Sequence, residues 1–156
     1  DARVASLDLG LTRDRRDNPI RPTKGARWSA QGQFARPELG GQVEYERLEL
    51  AWSWHRALGE EQERWLHAGV SQGLLFERGG DVPVTKLFYP GGESSIRGYP
   101  QGEATQRDAA GRFVGVRSAW LVNVELEQLV TGRWTAVVFA DALGTARNAE
   151  DWPGDE

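Results

Sequence analysis

No cysteine occurs among the 156 residues, which excludes a disulfide scaffold and a thiolate metal site and says little about compartment. No apolar run approaches the roughly 20 residues that a spanning helix needs, and mean hydropathy is −0.57. That removes helical membrane spans but not β-barrels, whose alternating strands hide their hydrophobicity from an average. Positive charge is not in excess: 19 Lys and Arg face 23 Asp and Glu, a net charge of −4, so nothing marks a nucleic-acid surface. The two histidines, His55 and His67, read as isolated imidazoles on different segments, with no third ligand spaced to complete a metal site. Ser94 and Ser95 lack the Gly-x-Ser-x-Gly frame, and no Gly-Lys-Ser/Thr follows the glycines. The spacing of Glu125 and Glu127 is that of any polar strand face, so no enzyme is expected. No signal peptide is visible; Asp1-Ala2-Arg3-Val4 opens inside an alternating pattern, as if the chain began within a domain.

Aromatics and glycine are plentiful instead, with seven Trp and 19 Gly. Period-2 alternation recurs, which predicts half-apolar strands. Residues 3–12 place Ala5, Leu7, Leu9 and Leu11 opposite Ser6, Asp8, Gly10 and Thr12. Residues 26–36 carry Trp28, Ala30 and Phe34 on one face. The clearest pattern is 42–56, with Leu48, Leu50, Trp52 and Trp54 opposite Arg47, Glu49, Ser53 and His55. Residues 63–75 set Leu66, Ala68 and Val70 outward. Segments 116–129 and 133–143 form a hairpin across a tight turn at Thr131-Gly132. Turns are expected at Arg13–Gly25, Pro37–Gly41 and Gly59–Gln62, and Glu60–Leu66 has room for one helical turn. Trp28, Trp52, Trp54, Trp120 and Trp134 fall at strand ends or on apolar faces, as in interfacial girdles.

Between strands lies a break from Phe76 to Gly115, about 40 residues and longer than packing requires, so it reads as functional or folded on itself. At its centre stands Phe88-Tyr-Pro-Gly-Gly-Glu-Ser-Ser-Ile-Arg-Gly-Tyr99. Gly91, Gly92 and Gly98 suit a tight, specific path, because glycine permits positive φ and close backbone approach. Arg97 is a cation at a bend and needs a carboxylate if it turns inward. By strand parity Glu125 and Asp141 lie on the polar faces of the following hairpin and are the candidate partners; a one-residue slip would reverse that parity.

These residues resemble a known family. Phe88 to Tyr99 looks like the Arg-Gly-Phe/Tyr signature of the BamA/TamA outer-membrane barrel superfamily, also called the bacterial surface antigen domain. Phe139-Ala-Asp141 is similar to its Phe-x-Asp strand, and Asn123-Val-Glu125-Leu-Glu127 to its glutamate-bearing strand. Arg16-Asp17-Asn18-Pro19, followed by Pro22 and Gly25, resembles one of its periplasmic turns.

The resemblance implies an all-β, antiparallel transmembrane β-barrel, present as about six of sixteen strands. A long loop (about 76–115) tucks into the lumen, where Arg97 meets Glu125 and Asp141. Gly98 and Tyr99 shape the loop tip, and Phe139 packs nearby. It further implies a bacterial outer-membrane location and a non-enzymatic role, with no cofactor, in inserting outer-membrane proteins or translocating proteins across that membrane. The partners would be the lipid bilayer, unfolded outer-membrane or secreted protein substrates, and periplasmic or lipoprotein accessory proteins. Residues 1–156 are then expected to be a partial barrel domain without POTRA modules. Which superfamily branch this is stays open at the level of sequence. The alternatives are a soluble ligand-binding β-barrel or sandwich, which would turn its apolar residues inward, and a simple pore, which gives no reason for the glycine-arginine signature.

Overall fold

The computed structural model describes residues 3–59, 63–93 and 95–151. Six antiparallel strands form one sheet in sequence order: β1 (Ser6–Asp14), β2 (Gly25–Ala35), β3 (Glu44–Leu58), β4 (Arg64–Gly79), β5 (Ser118–Thr131) and β6 (Trp134–Ala146). The alternation in the sequence becomes two chemically distinct faces because the register keeps like with like. One cross-strand row runs Trp28, Trp52, Val70, Val122, Ala142. The next, on the opposite face, runs Arg27, Ser53, Gly69, Asn123, Asp141.

Among the described residues the apolar face has no second layer. Leu9, Leu11, Leu50, Val70, Val124 and Val138 remain between 42 and 71% exposed, which rules out the packed interior of a sandwich. Such a face is an aggregation hazard in water and is satisfied by hydrocarbon, where a strand of about 9–11 tilted residues spans the bilayer; all the strands from β2 onward are at least that long. Glycines on this face are roofed by aromatics: a Cβ at Gly144 would strike the Trp120 indole, and one at Gly32 the Phe34 ring. A small buried cluster of Ala35, Val43 and Tyr45 closes one end of β2 and β3.

Several boundaries differ from the sequence expectation. β4 continues to Gly79, so the break narrows to residues 80–117. The alternation ends at Leu74-Leu75-Phe76, three apolar residues in a row, but the ladder persists because β3 supplies partners through Glu44↔Gly79. No helical turn survives at Trp65-Leu66, which pair with Ala57 and Arg56 in the sheet. Glu60–Gln62, which open that segment and end the expected turn, lie outside the described residues, as do Ser94 and residues 152–156. β5 and β6 are joined through Gly132 and Arg133, and the Pro37–Leu39 connection is a single 3₁₀ turn ended by Gly40 at φ 96°.

The turn between β1 and β2 is built around Asp17. Its Oδ1 accepts from the backbone N–H groups of Thr23 (2.9 Å) and Lys24 (3.1 Å), and its Oδ2 from the Thr23 hydroxyl (2.5 Å). These bonds, the Thr23 hydroxyl first, hold the carboxyl well below its ordinary range. A depressed pKa stabilises only the ionised form, so the contribution is present above the unfolded carboxyl value of 3.8 and is lost as pH falls below it. Asp17→Ala is expected to loosen this turn selectively, seen as faster amide exchange at Thr23 and Lys24 with the strand amides unchanged.

Candidate functional site

Residues 80–117 cross back over the polar face instead of extending away from the sheet. Phe88 and Val116 exchange both backbone hydrogen bonds at 2.9 Å, closing the base of the loop. At its tip Gly91 has φ 133°, and a Cβ there would lie 2.3 Å from the Pro100 carbonyl oxygen. Gly92, at φ 91°, donates its N–H to the Tyr99 carbonyl at 3.0 Å. The backbone thus folds on itself tightly enough to aim one side chain, Arg97.

That side chain meets two strands at once. Arg97 Nε donates to Asp141 Oδ2 at 2.8 Å and Nη2 to Oδ1 at 2.6 Å, a bidentate pairing. The Arg97 backbone N–H adds a third bond to Oδ2 at 3.0 Å. Nη1 donates to Glu125 Oε2 on the neighbouring strand. The guanidinium carbon sits 3.7 Å from the centre of the Phe139 ring, a cation–π contact. Asp141, foremost, and Glu125 hold the guanidinium above its usual range. Only 4% of the Asp141 side chain is exposed, against 25% for Arg97 and 26% for Glu125, so the aspartate end is the more desolvated.

Arg97, Glu125, Phe139 and Asp141 therefore come together, with Gly91 and Gly92 shaping the approach. Gly98 takes φ 89° beside the arginine. The Tyr99 side chain stays 52% exposed, and its carbonyl is the part that joins the loop turn.

Sequence reasoning missed three features. Asn123 donates its amide to Asp141 Oδ1 (2.8 Å) and to the Ser95 carbonyl (3.3 Å), tying the carboxylate to the loop backbone. Its parity with Glu125 was the available signal. The second is a seat for Phe88: a Cβ at Gly73 would lie 2.6 Å from that ring, while the Arg47 guanidinium lies 4.3 Å from the ring centre and Arg47 Nε donates to the Lys86 carbonyl at 3.0 Å. The third is that His55 and His67, expected to be isolated, are cross-strand partners with Nδ1 atoms 2.7 Å apart, because β3 and β4 are in register there. Gly73→Val is expected to lift Phe88, destabilise the protein by about 1–3 kcal/mol as overpacking does, and expose residues 80–117 to protease. Unfolding and limited-proteolysis assays on the folded protein read both.

Comparison with known proteins gives the geometry a lineage. The Omp85 superfamily domain matches residues 3–153. The outer membrane protein assembly factor BamA of Nitratidesulfovibrio vulgaris (strain Hildenborough) is 34% identical over 118 residues, 74% of this chain and 14% of that protein. The crystal structure of BamA from Haemophilus ducreyi lacking POTRA domains 1–3 superposes with a TM-score of 0.78 at 19% identity, over 90% of this chain and 29% of that one. The chain thus spans a small part of the relatives it matches. With six antiparallel strands, one apolar face and a family match along nearly its whole length, the chain belongs to the Omp85 superfamily and is a segment of a bacterial outer-membrane β-barrel.

Proposed function

We propose that this chain is the middle-to-late wall of a barrel that assembles other outer-membrane proteins, and that its inward-folded loop braces that wall. The observation that carries the reading is the double engagement of Arg97, which binds Asp141 on β6 and Glu125 on β5 at once. A loop tied to two adjoining strands fixes their spacing from inside while their apolar backs face lipid. Bracing is mechanical: the barrel would offer unfolded outer-membrane proteins a locally perturbed bilayer and a place to pair strands, with no bond chemistry. The name of the 34% identical relative favours assembly over secretion of a passenger protein. Accessory partners would be periplasmic or lipoprotein subunits, and the luminal ion pair would position the loop.

The test is reconstitution of the full-length protein in lipid vesicles with an unfolded outer-membrane protein, scoring the protease-protected folded product. The proposal expects folding several-fold faster than in empty vesicles, and most of that gain lost in Asp141→Ala. Equal rates in wild type and variant would remove the bracing role. Release of a secreted passenger with no effect on barrel folding would reassign the protein to translocation.

A further inference from the structure

Beside the arginine anchor, but independent of the assembly reading, the polar face gathers a second set of groups. His67 on β4 is the cross-strand partner of Glu125 on β5, and Glu127 follows two residues later on the same face. One ligand atom from each of His67, Glu125 and Glu127 can be chosen so that all lie within 4.8 Å of one another. We propose that these three residues form a binding site for a divalent transition-metal ion of the zinc type.

The ring nitrogens of His67 are set up for it. Nδ1 lies 2.7 Å from Nδ1 of His55, a contact that requires one ring to donate and the other to accept. When His67 donates from Nδ1, its Nε2 presents a lone pair. Among the described residues that Nε2 is sheltered from solvent and makes no hydrogen bond, and Glu127 Oε1 lies 3.4 Å from it. A tetrahedron with metal–ligand bonds of about 2.0–2.1 Å has edges of about 3.3 Å, so this pair already has tetrahedral spacing. His55 then supplies the acceptor that fixes the tautomer of a metal-bound imidazole.

The carboxylates are available despite their arginines. Glu125 uses Oε2 on Arg97 and Glu127 presents Oε2 to Arg21 at 3.5 Å, leaving one oxygen of each for the ion. An imidazole with two carboxylates favours zinc or its first-row neighbours over magnesium or calcium, which prefer all-oxygen sets. Three protein ligands leave a fourth position for water. The ion would share Glu125 with Arg97, so metal loading would bear on the loop anchor. Neither histidine suggested this in the sequence, because the ligands come from two strands and meet only through register.

The experiment is calorimetric titration of Zn²⁺ into the untagged, full-length protein folded in detergent, comparing wild type, His67→Ala and Glu127→Gln. One saturable site in wild type, weakened at least tenfold by each substitution, is the expected result. Co²⁺ in place of zinc should give the visible absorption of a four-coordinate site, abolished in both variants. Binding that is non-saturable, or equally tight in both variants, overturns the proposal. Circular dichroism establishes that each variant retains its β-sheet; should His67→Ala fail to fold, the Glu127→Gln comparison decides alone.

Discussion

Asp141→Ala releases the loop. Of the two carboxylates Asp141 carries the more: it accepts two side-chain bonds and one backbone bond from Arg97 and a further bond from Asn123. Removing it leaves the guanidinium, the Arg97 N–H and the Asn123 amide without that acceptor in a site where little water reaches the aspartate end. Breaking a fully buried pair from one side costs about 3–5 kcal/mol; Arg97 is a quarter exposed, so about 2–3 kcal/mol is expected here. That cost falls on the docked state of residues 80–117 more than on the sheet, whose ladder is independent of it. Protease should therefore cut within the loop at rates tens of times higher while strand amides keep their protection. Arg97→Lys should be intermediate, since an ammonium keeps the charge but cannot make the bidentate pairing. Glu125→Ala should be mildest, having one bond to lose. A reversed order, with Glu125 dominant, would mean that β5 rather than β6 holds the loop.

The second large effect lies on the opposite face. Val70 sits mid-strand between Trp52 and Val122, and is 44% exposed on the side that meets lipid. Val70→Arg puts a guanidinium into hydrocarbon and is expected to cost about 2–4 kcal/mol at the bilayer midplane. Gln31→Arg, on the polar face among Asp8, Gln33 and Arg47, should change stability by less than about 1 kcal/mol. Urea unfolding in lipid vesicles, followed by tryptophan fluorescence, compares the two. Similar costs for both would contradict the assignment of faces.

The fold was legible because period-2 alternation is a local property: Leu48, Leu50, Trp52 and Trp54 declare a face without reference to any other strand. The ends of strands were less so. β4 runs past its alternating residues because β3 holds it there, and only the pairing contains that information. The same division applies to the site. The loop signature, Glu125 and Asp141 were visible from their motifs and parity, but the seat of Phe88 on Gly73 depends on where a loop lands, for which one glycine among 19 gives no warning. His55 and His67 looked isolated for a related reason: twelve residues separate them in the chain, and only the register of two strands makes them neighbours.

The central claim is that residues 80–117 lie against the polar face of β5 and β6, tied at Arg97. These 156 residues contain no native cysteine, so an introduced pair supplies the only thiols within them. The Asn123 amide donates to the Ser95 carbonyl at 3.3 Å, so thiols at Ser95→Cys and Asn123→Cys lie within reach of a short bifunctional cross-linker. A short bis-thiol cross-linker applied to the folded, membrane-embedded double variant should join loop to strand in most molecules, and adding Asp141→Ala should slow that reaction markedly. A folded barrel in which the two cysteines are each modified by the reagent but never joined would place the loop away from the polar face and contradict the account.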